Sequence, residues 1–151
     1  MIETILIAVR DDDAAIIDEF VEISLAFAAR GADVVLLYVS SPEAYEAFTL
    51  DSAPDVAATD DPQVGTELAQ RNDVCQRIAE RLAANGVDVE IQGRVSETQS
   101  SAVISVAEDA AIDHLVIGGQ NRSPTGKAVF GDDSQRVLLN AACPVTFVRH
   151  Q

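Results

Sequence analysis

Short apolar runs alternate along the chain with longer stretches in which apolar residues recur every three or four positions, the pattern of strands alternating with amphipathic helices. Thr4-Ile5-Leu6-Ile7-Ala8-Val9 is apolar almost throughout, as strands covered on both faces are. In the helical stretch that follows, Ile16, Phe20, Ile23 and Phe27 share one face, and Gly31 stops it. Asp11-Asp12-Asp13 supplies carboxylates for the free N–H groups of its first turn. Val34 to Val39 reads as the second strand. Leu68, Cys75, Ile78 and Leu82 lie along one helical face that ends at Asn85-Gly86, and Val87 to Gln92 alternates as the third strand. A helix from about Glu97 carries Val103, Val106, Ala107 and Ala110, and His114 to Ile117 is the fourth strand. A last helix from Asp132 or Asp133 carries Val137, Leu138 and Ala141. Pro144 ends the next turn, and Val145 to Val148 is the last strand.

This alternation predicts an α/β fold: a single doubly wound, Rossmann-like domain over residues 1–151. Its five-stranded parallel sheet carries helices on both faces and has the first strand at its centre. Between about residues 40 and 65 the composition shifts to Asp, Ala, Pro and Ser. That stretch reads as a long flexible connection holding at most one short helix, Glu43 to Phe48, and no core element.

Charge narrows the functions. Twenty-five acidic against ten basic side chains give a net charge of −15, roughly twice the upper end usual for a small domain. Such a field repels phosphate backbones and anionic membranes, so neither nucleic acid nor a membrane is an expected partner. Nine of the basic residues are Arg and the tenth is Lys127, while Asp outnumbers Glu by fifteen to ten. An acidic, Lys-poor composition of this kind is halophilic in character, because molar salt screens self-repulsion to within about 3 Å. Met1-Ile2-Glu3 opens without a basic segment and an apolar stretch, so no secretory signal is expected. No apolar run approaches the ~20 residues of a bilayer span. Cys75 and Cys143 form neither a metal-ligand spacing nor a disulfide framework. The expected location is the cytoplasm.

Open parallel sheets bind ligands beyond the carboxyl ends of their strands. Two loops lie there: Arg10 to Asp13, and Gly118 to Gly131. The second gathers Gly118, Gly119, Gly126 and Gly131 with Arg122, Lys127, Ser123 and Thr125. Glycines allow close backbone approach, and the loop N–H groups with a helix N-terminus attract anions. A surface loop whose glycines merely relieve strain is the plainer alternative. His114 and His150 read as structural surface histidines, since no Ser or Cys elbow and no carboxylate pair accompanies them. Cys75 and Cys143 read as packing residues. Asp11-Asp12-Asp13 reads as a cap and a solvated acidic patch, because adjacent carboxylates lack the alternating spacing of a calcium loop. No catalytic set and no metal site is expected.

From Gly118 to Val148 the sequence resembles the universal stress protein family. Members carry a Gly, two residues, a Gly, nine residues and then Gly-Ser or Gly-Thr between the fourth strand and the last helix; Gly118 and Gly131 match the first and third glycines at the right separation. Arg136-Val137-Leu138 and Cys143-Pro144-Val145 continue the likeness, as do Ile5 to Val9 and Leu37-Tyr38-Val39. The resemblance implies a strand order of 3-2-1-4-5, homodimers and a stress-response role, and some members bind ATP. By position it places Ala8, Val9, Arg10, Val39 and Ile117 near the base. It places Gly118, Asn121, Gly131, Asp132 and Asp133 near ribose and phosphates.

Three positions depart from that pattern: Arg10 stands for an Asp, Asn121 for the second glycine, and Asp132 for the Ser or Thr. A carboxylate only accepts hydrogen bonds and repels phosphate, so ATP is weakened relative to a small anion. The favoured reading is a non-catalytic, dimeric, nucleotide- or anion-responsive stress protein. A ligand-free scaffold acting by protein contacts and, less favoured, an ATP-using enzyme stand beside it. The last strand, Val145 to Val148, is the expected dimer edge.

Overall fold

The fold is set by how the strands divide their side chains. In β1 (Thr4–Val9), Ile5, Ile7 and Val9 point into one apolar layer, and Leu6 and Ala8 into the other. All five are buried, which is the physical content of a continuously apolar strand. β2 (Asp33–Ser40) and β4 (His114–Gly119) flank β1; β3 (Val89–Val95) and β5 (Val145–Arg149) are the edges, giving the order β3-β2-β1-β4-β5. Every pairing is parallel, with Ile7 opposite Leu36 on one side and Val116 on the other. These observations come from a computed structural model that describes residues 2–52, 65–119 and 132–150.

A 3-10 turn (Asp11–Ile16) leads from β1 into α1 (Ile17–Ala28), and α2 (Pro42–Ser52) follows β2. Then come α3 (Thr66–Gln70), α4 (Asp73–Ala84), α5 (Gln99–Asp109) between β3 and β4, and α6 (Asp132–Asn140) before β5. α1 and α4 cover the face of Ile5, Ile7 and Val9, with Phe20, Ile78 and Leu82 fully buried between them. α5 and α6 cover the other face, where Val103 and Val137 meet Leu6, Leu37, Leu115 and Ile117. Gly31 and Gly86 end α1 and α4 at φ of +92° and +79°, a conformation in which an ordinary side chain is strained.

Three local expectations change. Leu68 does not share a helix with Cys75: Asn72 interrupts the pattern, and its Oδ1 accepts from the Cys75 N–H at 3.0 Å as the N-cap of α4. The start of the connection after residue 40 is a helix running to Ser52 rather than to Phe48, and it buries Tyr45. Residues 53–64 lie outside the described residues. Ala110 is exposed just past the end of α5, after the solvent-facing Glu108 and Asp109 and three positions beyond the buried Ala107.

Candidate functional site

β1 and β4 are adjacent, and the next described helices after them, α1 and α6, lie on opposite faces of the sheet, the arrangement that places a crevice between the two strands' carboxyl ends. Arg10 leaves β1 with an extended backbone (φ −125°) and sends its guanidinium across to β4. Its Nη2 donates to the Gly118 carbonyl at 2.5 Å. The same nitrogen would sit 3.2 Å from a Cβ at Gly119, and Ser134 Oγ 3.0 Å from it, so the missing side chain makes room for both. Gly118 is equally constrained. A Cβ there would run into Ile16 and lie 2.8 Å from Asp13 Oδ1 and 3.2 Å from Phe20.

Asp13 holds this arrangement from below. Its Oδ2 accepts from the Arg10 N–H at 2.9 Å, its Oδ1 lies 4.0 Å from Arg10 Nη2, and His150 Nε2 is 2.8 Å from the same Oδ1. Burial pushes the Asp13 carboxyl above its ordinary range, and the bonds from His150 and Arg10 pull against that shift. The His150 N–H also donates to the Gly119 carbonyl at 3.0 Å, so the end of β5 is pinned to the crevice. Two expectations fall here. Asp13 is fully buried rather than part of a solvated patch, and His150 is a buried partner to a carboxylate rather than a surface histidine. Both look polar and terminal in the sequence; only the return of β5 beside β4 brings them together.

The other two aspartates divide the work. Asp11 is exposed yet accepts from the Tyr38 hydroxyl and the Asn72 amide, each at 2.9 Å, tying β2 and α4 to the loop after β1. Asp12 faces solvent. His114 is half-buried, with Nε2 2.6 Å from Thr146 Oγ1 and its ring 4.9 Å from that of Phe27, and burial lowers its pKa. It is a packing residue, not a surface one. Cys75 is fully buried, and burial first, with the nearby Asp11 charge, pushes its thiol up to about 12. It has no thiolate to offer as a nucleophile or ligand. Cys143 is half-buried and its thiol also shifts upward with burial.

On the α5/α6 side of the crevice lies a small cleft, partly open to solvent. Its apolar wall is Ala8, Val103, Ile117 and Val137; its polar groups are Arg10 and Gly118, Gln99 and Ser100 at the start of α5, and Asp133 and Ser134 at the start of α6. Of the residues singled out in the sequence, Ala8, Arg10, Ile117, Gly118 and Asp133 meet here, and Gly119 adjoins them through Arg10. Val9 points into the opposite layer, packed with Ile16 and Phe20, and Val39 is half-buried on the α5 face outside the cleft. Asp132 begins α6. Asn121, Arg122, Ser123, Thr125, Gly126, Lys127 and Gly131 lie outside the described residues.

Gln99, Ser100 and Ser134 were not legible as site residues, because each reads as an ordinary polar position in a first helical turn. The usable signal was the absence of an acid in Gln99-Ser100-Ser101, in a chain where every other helix with a described start opens on one or more carboxylates. Among the described residues, no group of three His, Cys, Asp or Glu is placed to hold a metal ion. No described helix is long and apolar enough to cross a membrane.

The family model described as "Universal stress protein family" matches residues 1–149. A Thermus aquaticus universal stress protein is 28% identical over 155 residues, covering 99% of this chain and 100% of its own. Among solved structures, a universal stress protein in complex with cAMP is 16% identical with a TM-score of 0.66, over 99% of this chain and 98% of that one. The Archaeoglobus fulgidus universal stress protein in complex with dAMP is 18% identical with a TM-score of 0.58, over 99% of this chain and 100% of that one. At such identities the structural likeness is one of fold. With a family match that runs from β1 to the end of β5, the chain belongs to the universal stress protein family.

Proposed function

We propose that this chain is a non-catalytic, homodimeric stress-type protein that responds to a nucleotide or small anion of low charge, held at the carboxyl ends of β1 and β4. The observation that carries this reading is Arg10. In a chain of net charge −15, a guanidinium braced by a buried carboxylate lies across the switch point of the sheet. Arg donates through a planar fork and accepts nothing, so it suits phosphate and carboxylate oxygens. The sequence adds Arg122, Ser123, Thr125 and Lys127 in the adjoining loop as further donors.

Low charge follows from Asp133 on the rim. Like charges at ~4 Å in an effective dielectric of about 20 repel by about 4 kcal/mol before screening, and the cost accumulates with each added phosphate. The relatives bound to cAMP and dAMP hold monophosphates, in line with that limit, and ATP is disfavoured. The described thiol and imidazole nearest the crevice are not free for catalysis: Cys75 is buried in the opposite layer with its thiol pushed up to about 12, and His150 is bonded to Asp13. Mass spectrometry of the protein after gentle purification tests the reading. Retained AMP-type nucleotide, or its re-binding in calorimetry without turnover, supports it. Steady hydrolysis of ATP, or a site that takes up neither nucleotide nor phosphate, overturns it.

A further inference from the structure

We infer that His150 is a positioning residue through which proton uptake frees the charge of Arg10 for the β1–β4 crevice, so that an anion binds there more tightly as pH falls. The inference rests on the reading of that crevice as a ligand site, and adds how the site is controlled. Asp13 is fully buried, and two side chains able to carry a positive charge approach its Oδ1. His150 Nε2 lies 2.8 Å away and Arg10 Nη2 4.0 Å away. The Oδ2 atom accepts from the Arg10 backbone N–H at 2.9 Å. A buried carboxylate needs a countercharge close by. With His150 neutral, Arg10 is that countercharge and its field is drawn inward. With His150 protonated, the nearer cation offsets Asp13, and the guanidinium is left to face the crevice. Imidazole is the side chain whose charge ordinarily changes between about pH 5 and 8.

Exposure separates the two roles. The Arg10 side chain is 28% exposed where it lines the cleft, whereas those of Asp13 and His150 are 0% and 7% exposed. An anion entering from solvent therefore meets Arg10, and the imidazole acts on it through the carboxylate. The main chain holds both groups in place. The His150 N–H donates to the Gly119 carbonyl at 3.0 Å, and Arg10 Nη2 donates to the neighbouring Gly118 carbonyl.

The charges around the pair come from several elements. The turn after β1 supplies Arg10 and Asp13, while Asp11 is bonded to Tyr38 and Asn72 and Asp12 faces solvent. The start of α6 places Asp133 on the crevice wall, β4 offers the Gly119 carbonyl, and Arg149 on β5 is exposed. Arg10, Asp13 and Asp133 together carry one net negative charge while His150 is neutral, and a proton on His150 cancels it. By linkage, an anion bound at Arg10 favours that proton as much as the proton favours the anion.

Titration of the full chain with cAMP and with sulfate tests the inference, because each probe keeps a fixed charge from pH 8 to pH 6. Calorimetry at constant ionic strength should show about fivefold tighter binding at the lower pH. Buffers of different ionisation enthalpy should reveal proton uptake on binding. His150→Gln, whose amide can still donate to Asp13 but takes up no proton, should bind with the weaker affinity at both pH values and without that uptake. In the ligand-free wild type the Arg10 Nε–H resonance should move with pH over the same range, and in His150→Gln it should stay fixed. Binding that is independent of pH in the wild type, or equally dependent in both proteins, overturns this inference and leaves the crevice as a ligand site. A wild-type Arg10 resonance that does not move overturns it as well. Uptake of neither probe at either pH overturns the site reading and this inference with it.

Discussion

Gly118 meets Ile16, Asp13 and Phe20 where a Cβ would stand, so its constraint is packing rather than backbone angle. Gly118→Ala should therefore cost about 1–3 kcal/mol, the usual cost of overpacking, read as a lower urea midpoint at unchanged slope. His114 offers a second residue-scale test. Burial lowers its pKa in the fold, so the folded state binds fewer protons than the unfolded chain. Its contribution is present above the unfolded value of about 6.5 and is lost as pH falls through the folded value. His114→Gln should flatten part of the decline in Tm between pH 7 and pH 5, and an identical decline in both proteins would refute the assignment. These residues also mark the limit of sequence reading. Arg10 enters the site from the sequence only by position, through the family resemblance, where it stands for an Asp at the end of the first strand. Asp13 and His150 were misjudged, because their 2.8 Å contact joins positions at opposite ends of the sequence. Ser100 carries only a faint local signature, a first helical turn without an acid, and its burial without a partner among the described residues shows only in the fold.

Periodicity located the elements well because each strand of this sheet is bounded by a change of period. β1 was read at its observed ends, and β2, β4 and β5 within two residues. The errors fall where a polar residue performs a structural task inside an apolar pattern. Asn72 splits one expected helix into α3 and α4, and Tyr45 anchors α2 within a segment otherwise too polar to suggest a core contact. β3 runs later than expected, to Val95, because Gly93 and Arg94 interrupt its alternation while still pairing with Tyr38 and Val39. Helix ends provide a test. α1 and α4 close on glycines at positive φ, whereas α5 closes on Ala111 at φ +51°. An L side chain in that region costs roughly 1–2 kcal/mol, partly offset by the extra freedom glycine has when unfolded. Ala111→Gly is expected to raise Tm by a few degrees. A fall in Tm would show that the turn draws its stability from the alanine side chain.

At the scale of the molecule, the sheet is covered by α1 and α4 on one face and α5 and α6 on the other, which leaves β5 as an edge with Val145 and Phe147 only half-buried. Pairing that edge with its own copy is the expected route to a homodimer. Light scattering should give twice the mass of the 16.0 kDa chain at micromolar concentration, and a monomer mass would refute the pairing. The charge of −15 sets a further expectation: thermal stability should rise as salt goes from low to molar concentration, because compaction brings like charges within the screened range. A flat response would mean the carboxylates are accommodated in some other way. Arg10, lying across the β1–β4 crevice, is the cation on which ligand binding at this site rests. Titration calorimetry of AMP against the wild type and Arg10→Ala, in matched high salt, tests that most directly. Saturable binding by the wild type, weakened at least tenfold in the variant and exceeding the affinity for ATP, is the predicted result. Equal binding by both proteins, or tighter binding of ATP, would contradict it.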